Sequence, residues 1–349
     1  MARERELLEA ARGGSDDAFR QLVEPHRAEL HAHCYRMLGS FHDADDALQD
    51  ALLRAWRRLA TFERRSSFRA WLYRITTNAC LDLIARRPKR VLPIDHGPPA
   101  EPGDDLGEPL VESVWVEPYP DGTSGLEEGY ASPEARYERR ESVELAFIVA
   151  LQHLPPNQRA ALLLRDVLGF SAREAAETLG TTVASVNGAL RRARKAAAER
   201  LPGQSQQVAL RAVGDDGLRE LVERYIDAWE RADVEAILAM LAEDATFTMP
   251  PLPTWYRGHD AIALFLTRYA LRDRWRLVAA RANGQLAFGC YAWDAKAGSH
   301  TALSLDVLTL EGTRATEVTS FVTPYTQGPA RERFAADVLE RFGLPGRVD

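Results

Sequence analysis

The chain has 349 residues, of which 46% are hydrophobic and 27% charged, and a formal net charge of −7. That length suggests two or three domains of ordinary soluble composition. No apolar run approaches a membrane span, the N-terminus is charged from its third residue, and Cys34, Cys80 and Cys290 form neither a disulfide framework nor a CxxC metal motif. The expectation is a cytoplasmic protein with no membrane contact.

The average charge hides a strong asymmetry along the chain. Residues 62–90 hold eight Lys or Arg against two acids, residues 91–140 hold three against twelve, and residues 186–200 are again basic. Two basic patches separated by an acidic tract suit a protein that meets nucleic acid at two places.

Residues 1–90 read as helical, with apolar positions at helical spacing in "DDALQDALLRAWRRLATF" and "FRAWLYRITTNACLDLIARR". In the first, Ala44, Ala47, Leu48, Ala51, Leu52, Ala55 and Trp56 form the apolar side. Asp43, Asp46, Gln49 and Asp50 form an acidic stripe, which is either a solvated face or a docking surface. The second interleaves Phe62, Phe68, Trp71 and Tyr73 with Arg64, Arg65, Arg69, Arg74, Arg86 and Arg87. Aromatic platforms among cations suit single-stranded DNA, although some of these rings must be core. His31 and His33 in "HAHC" are two apart, so they cannot share a helix face, and no metal site is expected.

Residues 91–134 carry eight of the 19 prolines, several glycines and an acid run, and read as a linker without fixed structure. Inside it, "VESVWVEPYPDG" is either a stray apolar island or a strip that docks on a neighbouring domain.

Helical pattern resumes over 135–202. "SARE" is a capping box of Ser171 and Glu174, Gly180 is a turn residue, and Thr181 or Thr182 caps a basic helix. In that helix Val183, Val186, Leu190 and Ala193 share one face, while Thr182, Ser185, Arg192 and Lys195 lie away from it. A short helix, a Gly turn and a longer basic helix make a helix-turn-helix, whose second helix enters the major groove. "PGQSQQ" then opens a second, shorter linker.

Residues 212–349 change texture, with two helices, a proline-rich loop "TMPPLPTWYRGHDAI", a third helix, and then four strand-like segments with Gly turns. That is an α+β pattern. Phe247, Met249, Trp255 and Tyr256 are candidates for a pocket mouth, and Asp306 is the one candidate interior acid. Alternation puts Ala302, Ser304, Asp306 and Leu308 on one face.

The stretches "DADDALQDALLRAW", "FRAWLYRITTNACLD" and "LPPNQRAALLLRDVLGFSAREAAETLG" resemble the extracytoplasmic-function (ECF) group of sigma-70 family RNA polymerase sigma factors. Residues 1–90 are similar to region 2 and 135–202 to region 4. Residues 212–349 resemble a SnoaL-like domain, on "YIDAWERADVEAILAMLAEDATFTMPPLPTWYRGHDAIALFL", "ARANGQLAFGCY" and "RFGLP". The implied fold is multidomain, with two all-α sigma domains, a helical bundle and a helix-turn-helix, followed by an α+β cone.

The resemblance implies core RNA polymerase (β′ clamp helices and β flap) and promoter DNA as partners. Asp43, Asp46, Gln49 and Asp50 would meet polymerase. Arg64, Arg65, Ser67, Phe68, Trp71, Tyr73, Arg74, Asn78, Arg86 and Arg87 would hold the melted minus-ten element. Thr182, Ser185, Asn187, Gly188, Arg191, Arg192 and Lys195 would read the minus-thirty-five element. Relatives often carry Lys or Arg where Asn187 and Ala189 stand, so the promoter sequence does not carry over. The cone is expected to regulate the sigma regions in cis, with the cone and the "VWVEPYP" strip touching region 2 or region 4. No catalytic residue, cofactor or metal is expected. The other readings are a DNA-tethered enzyme or sensor with a small-molecule ligand in the cone, and a DNA-binding regulator that does not use polymerase.

Overall fold

The computed structural model describes residues 2–63, 67–101, 104–110, 115–121, 142–323 and 338–349. They divide into two compact units, one joining 1–90 to 123–201 and the other joining 91–122 to 202–349.

The first unit begins with α1 (Ala2–Arg12), α2 (Asp16–Leu38), α3 (Phe41–Arg58) and α4 (Phe68–Ile84). Serine sets three of the starts: the hydroxyls of Ser15, Ser40 and Ser67 accept the N–H groups of Ala18, Asp43 and Ala70. The apolar side of α3 packs as its spacing predicts, with Ala44, Ala47, Leu48, Ala51 and Ala55 buried. Leu52 and Trp56 remain half-buried, and the Trp56 ring lies 5.1 Å from Phe19.

The later half of this unit holds α5 (Leu145–Gln152), α6 (Pro156–Leu162) running into a π turn at Leu163–Val167, α7 (Ala172–Thr178) and α8 (Val183–Ala198). It packs against the first half along a polar and aromatic seam. Arg36 donates to the Ser142 carbonyl at 3.1 Å and to its hydroxyl at 2.7 Å. Arg159 donates to the Met37 carbonyl and, at 2.6 Å, to Gln152 Oε1, while Gln152 Nε2 donates to the Arg36 carbonyl at 3.3 Å. Phe170 meets the Tyr73 ring at 5.3 Å, and the Arg69 guanidinium lies over Phe170 at the same distance.

The second unit carries α9 (Gln206–Glu230), α10 (Val234–Ala239), α11 (His259–Arg268) and one sheet. Its strands are β1 (Leu241–Thr248), β2 (Trp255–Arg257), β3 (Trp275–Ala282), β4 (Gln285–Asp294), β5 (Ser299–Glu311), β6 (Arg314–Val322) and β7 (Arg347–Val348). The order is β2-β1-β6-β5-β4-β3, with β7 on β5, and only β1 with β6 is parallel. One sheet face packs on the helices around Tyr225, Trp229, Phe265, Phe288 and Leu308. The four later strand segments expected from sequence are all present.

Three expectations change. The helix read through "VEAILAMLAEDA" stops at Ala239, because Leu241–Thr248 pairs with β2 and β6 instead. The second linker shrinks, because Ser205 caps α9 and Gln206 pairs like a strand residue. Its Nε2 donates to the Leu310 carbonyl at 3.1 Å, and its Oε1 accepts Leu310 N–H at 2.7 Å. The unit therefore takes in residues before 212, with a kink in α9 at Gly214.

The third change is larger. The described part of the expected structureless linker lies along the second unit as a strap. Ala100 N–H donates to the Trp255 carbonyl at 2.8 Å, Trp255 Nε1 to the Gly97 carbonyl at 2.9 Å, and Leu110 N–H to the Pro251 carbonyl at 3.0 Å. Further on, the Asn283-Gly284 turn between β3 and β4 grips the strap. Asn283 N–H donates to the Tyr119 carbonyl at 2.8 Å, its Oδ1 accepts Tyr119 N–H at 2.9 Å, and Gly284 N–H reaches Asp121 Oδ1 at 2.8 Å. The "VWVEPYP" strip is thus docked on the C-terminal domain, with Trp115 and Tyr119 buried.

Gly39 ends α2 at φ +70°, and a β-carbon there would stand 3.0 Å from the Gln152 side chain. Gly39→Ala is expected to destabilise the protein by about 1–2 kcal/mol through the left-handed backbone alone. A thermal melt of the variant checks this, and an unchanged midpoint would show that the helix end relaxes.

Candidate nucleic-acid interface

The acidic stripe of α3 is only partly a surface. Asp46, Gln49 and Asp50 are exposed, the Asp46 side chain to 67%. Asp43 is buried, which corrects its expected place on the stripe. It forms ion pairs with Arg90 at 2.6 Å and with Arg87, because Ser40 caps the helix and turns position 43 inward. Sequence reading missed Leu53, which is 56% exposed and follows Asp46 and Asp50 at helical spacing. An exposed leucine at the end of an acidic stripe was its only sequence signal. Arg54 ties the same face to α4 through Asp50 and Asp82, each at 2.7 Å.

On α4 the aromatics behave as core. Phe68, Trp71 and Tyr73 are buried, and Phe62, Phe68 and Trp71 pack together with centroids 5.1–5.7 Å apart. They offer no open stacking face in this arrangement, which corrects their expected role as platforms. The cause is the close packing of α4 on α2 and against Phe170. Ser67, Arg74, Asn78 and Arg86 are exposed, with Arg74 and Asn78 one turn apart on one side of α4. Arg87 is engaged by Asp43 and lies 3.8 Å from Asp46. Arg64 and Arg65 fall outside the described residues.

Behind this surface sits a half-buried charged network. Glu29 accepts Arg69 Nε–H and one terminal N–H of its guanidinium at 2.8–3.1 Å and faces His26 Nδ1 at 2.7 Å. Burial opposes its ionisation, but these partners outweigh it and hold its pKa at about 2. His33 is fully buried, with Nε2 2.9 Å from Thr77 Oγ and the ring edge-on to Tyr73. Burial, helped by Arg36 and Arg69, lowers its pKa to about 3. His31 lies beside Asp45 and Phe41.

The helix-turn-helix forms as its caps predict. Glu174 N–H donates to Ser171 Oγ at 3.2 Å and Ser171 N–H to Glu174 Oε2 at 2.8 Å, which lowers the Glu174 pKa. Gly180 turns at φ +60°, and Thr182 caps α8 by accepting Ser185 N–H. Val186, Leu190, Ala193 and also Ala189 are buried, whereas Val183 is 42% exposed instead of packing with them. Thr182, Ser185, Asn187, Arg191, Arg192 and Lys195 are all exposed, and Gly188 lies half-buried on the same helix. These side chains form one polar and basic surface, with its uncharged members at the N-terminal end where a recognition helix meets base edges.

In the second unit the candidate pocket mouth is packed. Phe247 and Tyr256 lie 5.0–5.1 Å from Phe265, Met249 is buried in the same core, and Trp255 is covered by the strap. Tyr256 lines a crevice of only about 10 Å³. Asp306 is buried as expected and faces inward. Its Oδ1 accepts hydroxyls of Ser304 at 3.1 Å and Ser320 at 2.5 Å, and burial raises its pKa despite them. Burial likewise raises the pKa of Tyr225. A bulge at Leu303 breaks the alternation, so Ala302 leaves this face and pairs opposite Tyr291.

Comparison with known proteins follows this division. The sequence matches Sigma-70 region 2 over residues 22–90, Sigma-70 region 4 over residues 144–196, and the SnoaL-like domain over residues 222–321. It is 40% identical over 333 residues to the ECF RNA polymerase sigma factor SigG of Mycobacterium tuberculosis, covering 94% of this chain and 84% of that protein. Identity to the ECF sigma factor SigJ of the same organism is 29% over 246 residues, covering 69% of each. The crystal structure of M. tuberculosis SigJ has the same fold, at a TM-score of 0.54 and 23% identity, covering 89% of this chain and 97% of that one.

His33 gives the first unit a defined acid sensitivity. Its pKa is about 3 when folded and 6.5 when exposed, so the unfolded chain takes up a proton first and stability falls as pH drops from about 6.5 toward 3. Glu29 adds a loss only below its exposed value of 4.5. Between pH 6.5 and 4.5 the His33 contribution approaches about 1.4 kcal/mol per pH unit. His33→Gln is expected to flatten that part of a melt-versus-pH curve, and an unchanged slope would exclude the assignment.

Proposed function

The chain belongs to the extracytoplasmic-function RNA polymerase sigma factors, proteins that partner core RNA polymerase and promoter DNA, and from that premise we propose how its surfaces divide the work. Asp46, Gln49 and Asp50, with Leu53, meet the basic β′ clamp helices, and region 4 meets the β flap. Acids ringing an exposed leucine suit a basic helical partner, because charge steers the approach and the apolar contact holds it. The N-terminal turn of α8 reads the minus-thirty-five element and its arginines contact phosphate. Arg74, Asn78 and Arg86 line the path of the minus-ten strand.

Regulation in cis is the second part of the proposal, and the strap is the observation that carries it. The connector between region 2 and region 4 is hydrogen-bonded by backbone and side chain along the SnoaL-like domain, and Tyr119 on it is fully buried. A sigma factor that spans two promoter elements needs this connector to adjust its reach. Release of the strap then raises promoter output, and the SnoaL-like domain acts by holding it. The domain needs no chemistry for this, and its buried Asp306 is satisfied by two hydroxyls.

Asp46→Arg with Asp50→Arg is expected to abolish capture by purified core polymerase while the variant still melts cooperatively, its midpoint lowered only by the loss of two exposed ion pairs, and undiminished capture would remove the stripe from the interface. Asn283→Ala takes the acceptor from Tyr119 N–H and is expected to raise run-off transcription from a cognate promoter severalfold. Equal output from wild type and variant would sink regulation by the strap.

A further inference from the structure

We propose that the groove between the C-terminal end of α4 and the α5–α6 turn is a binding site for a phosphate-bearing small molecule of nucleotide size. The groove has a volume of about 380 Å³, within the range of small-ligand sites. Among the described residues, four permanent cations line it, namely Arg87, Lys89, Arg90 and Arg159, against one carboxylate, Asp43. Asp43 is already shared between Arg87 and Arg90.

Arg159 is the deepest of the four. Its terminal nitrogens are held by Met37, Gln152 and Leu154, all through neutral oxygens, and its Nε–H is buried without a partner. Burial lowers its pKa to about 10, as befits a cation that no anion compensates. On the rim, Lys89 Nζ lies 2.6 Å from His153 Nδ1 and is exposed to solvent.

Between these cations the lining is apolar, with Ile84, Leu154, Pro155 and Pro156. Cations and apolar side chains in one groove fit a molecule that carries both phosphates and an apolar ring. Arginine and lysine together select phosphate over a single carboxylate, because a di-anion engages several donors at once. An occupant would touch residues 84–90 and 152–159 together, so it would clamp the seam between the two sigma regions.

Full-length protein is titrated with ADP, inorganic pyrophosphate, adenosine and a short single-stranded oligonucleotide, by calorimetry and by thermal shift. Expected are saturable one-to-one binding of ADP and pyrophosphate with a rise in melting midpoint, and no binding of adenosine. Lys89→Glu at the exposed rim, and independently Pro156→Glu at the first position of α6, each add an acid to the groove and are expected to weaken ADP on the order of tenfold. Using both keeps the result readable if one variant folds poorly. No binding of either phosphate compound at millimolar concentration overturns the site, as does ADP binding that both variants leave unchanged. Binding of the oligonucleotide alone, weakened by the same variants, also overturns it and makes the groove a DNA-backbone contact.

Discussion

The first unit depends on how one buried guanidinium closes two helix ends. The last carbonyls of any helix lack internal partners, and burying them unpaired is costly. At the end of α2 three of them find donors: Tyr35 takes Gly39 N–H, Arg36 takes Gln152 Nε2, and Met37 takes Arg159. Arg159 also takes the carbonyls of Gln152 and Leu154 just past α5. A cation at two negative helix ends is favourable electrostatically, which offsets part of its own desolvation. The left-handed Gly39 is what lets Gln152 come close enough to take part. The packing of region 2 on region 4 therefore rests on main-chain acceptors that cannot move without unwinding a helix, and the apolar contacts of Phe170 fill in around them.

The second unit shows the same economy with different groups. Its strap is held by turn geometry. Asn283 sits at φ +55° and Gly284 at +69°, the conformation of a two-residue hairpin turn that asparagine and glycine favour. That turn leaves the Asn283 amide and its N–H pointing outward, and Tyr119 fills both. At the other end, the proline-rich loop and the edge strand β2 present the carbonyls of Pro251 and Trp255 to the strap amides of Leu110 and Ala100. A loop that reads like the lip of a ligand pocket is thus the receptor for a segment of the same chain. Proline cannot donate, so a proline-rich edge presents acceptors, and an extended partner strand is what such an edge binds.

Much of this was legible because local chemistry and the fold agree. The capping box at Ser171, the turn at Gly180 and the cap at Thr182 are short-range signals, and the structure uses each of them. The later strands were legible through their alternation and Gly turns. What was not legible is non-local. The strap has the proline and acid content of a disordered segment, and only pairing with residues more than 130 positions away orders it. Gln206 reads as linker in the sequence because a side chain that imitates a strand has no sequence signature. Leu53 carries no signal of its own in the sequence, because a single exposed apolar residue is ordinary until its acidic neighbours prove exposed too.

Charge shows most clearly why burial must be known before function is assigned. Residues 62–90 tally strongly positive, which suggested a dense phosphate-binding surface. In the folded unit Arg69 is taken by Glu29, and Arg87 and Arg90 by Asp43. Arg74 and Arg86 remain exposed on α4 and just beyond it. The salt dependence of nucleic-acid affinity scales with phosphates neutralised, so the effective charge of region 2 toward DNA is smaller than its sequence implies. Opening the seam would not restore all of it, because Glu29, Asp43 and their arginine partners all lie in region 2. The internal pairs order the helices, and the cations that those pairs do not use are the ones left facing solvent.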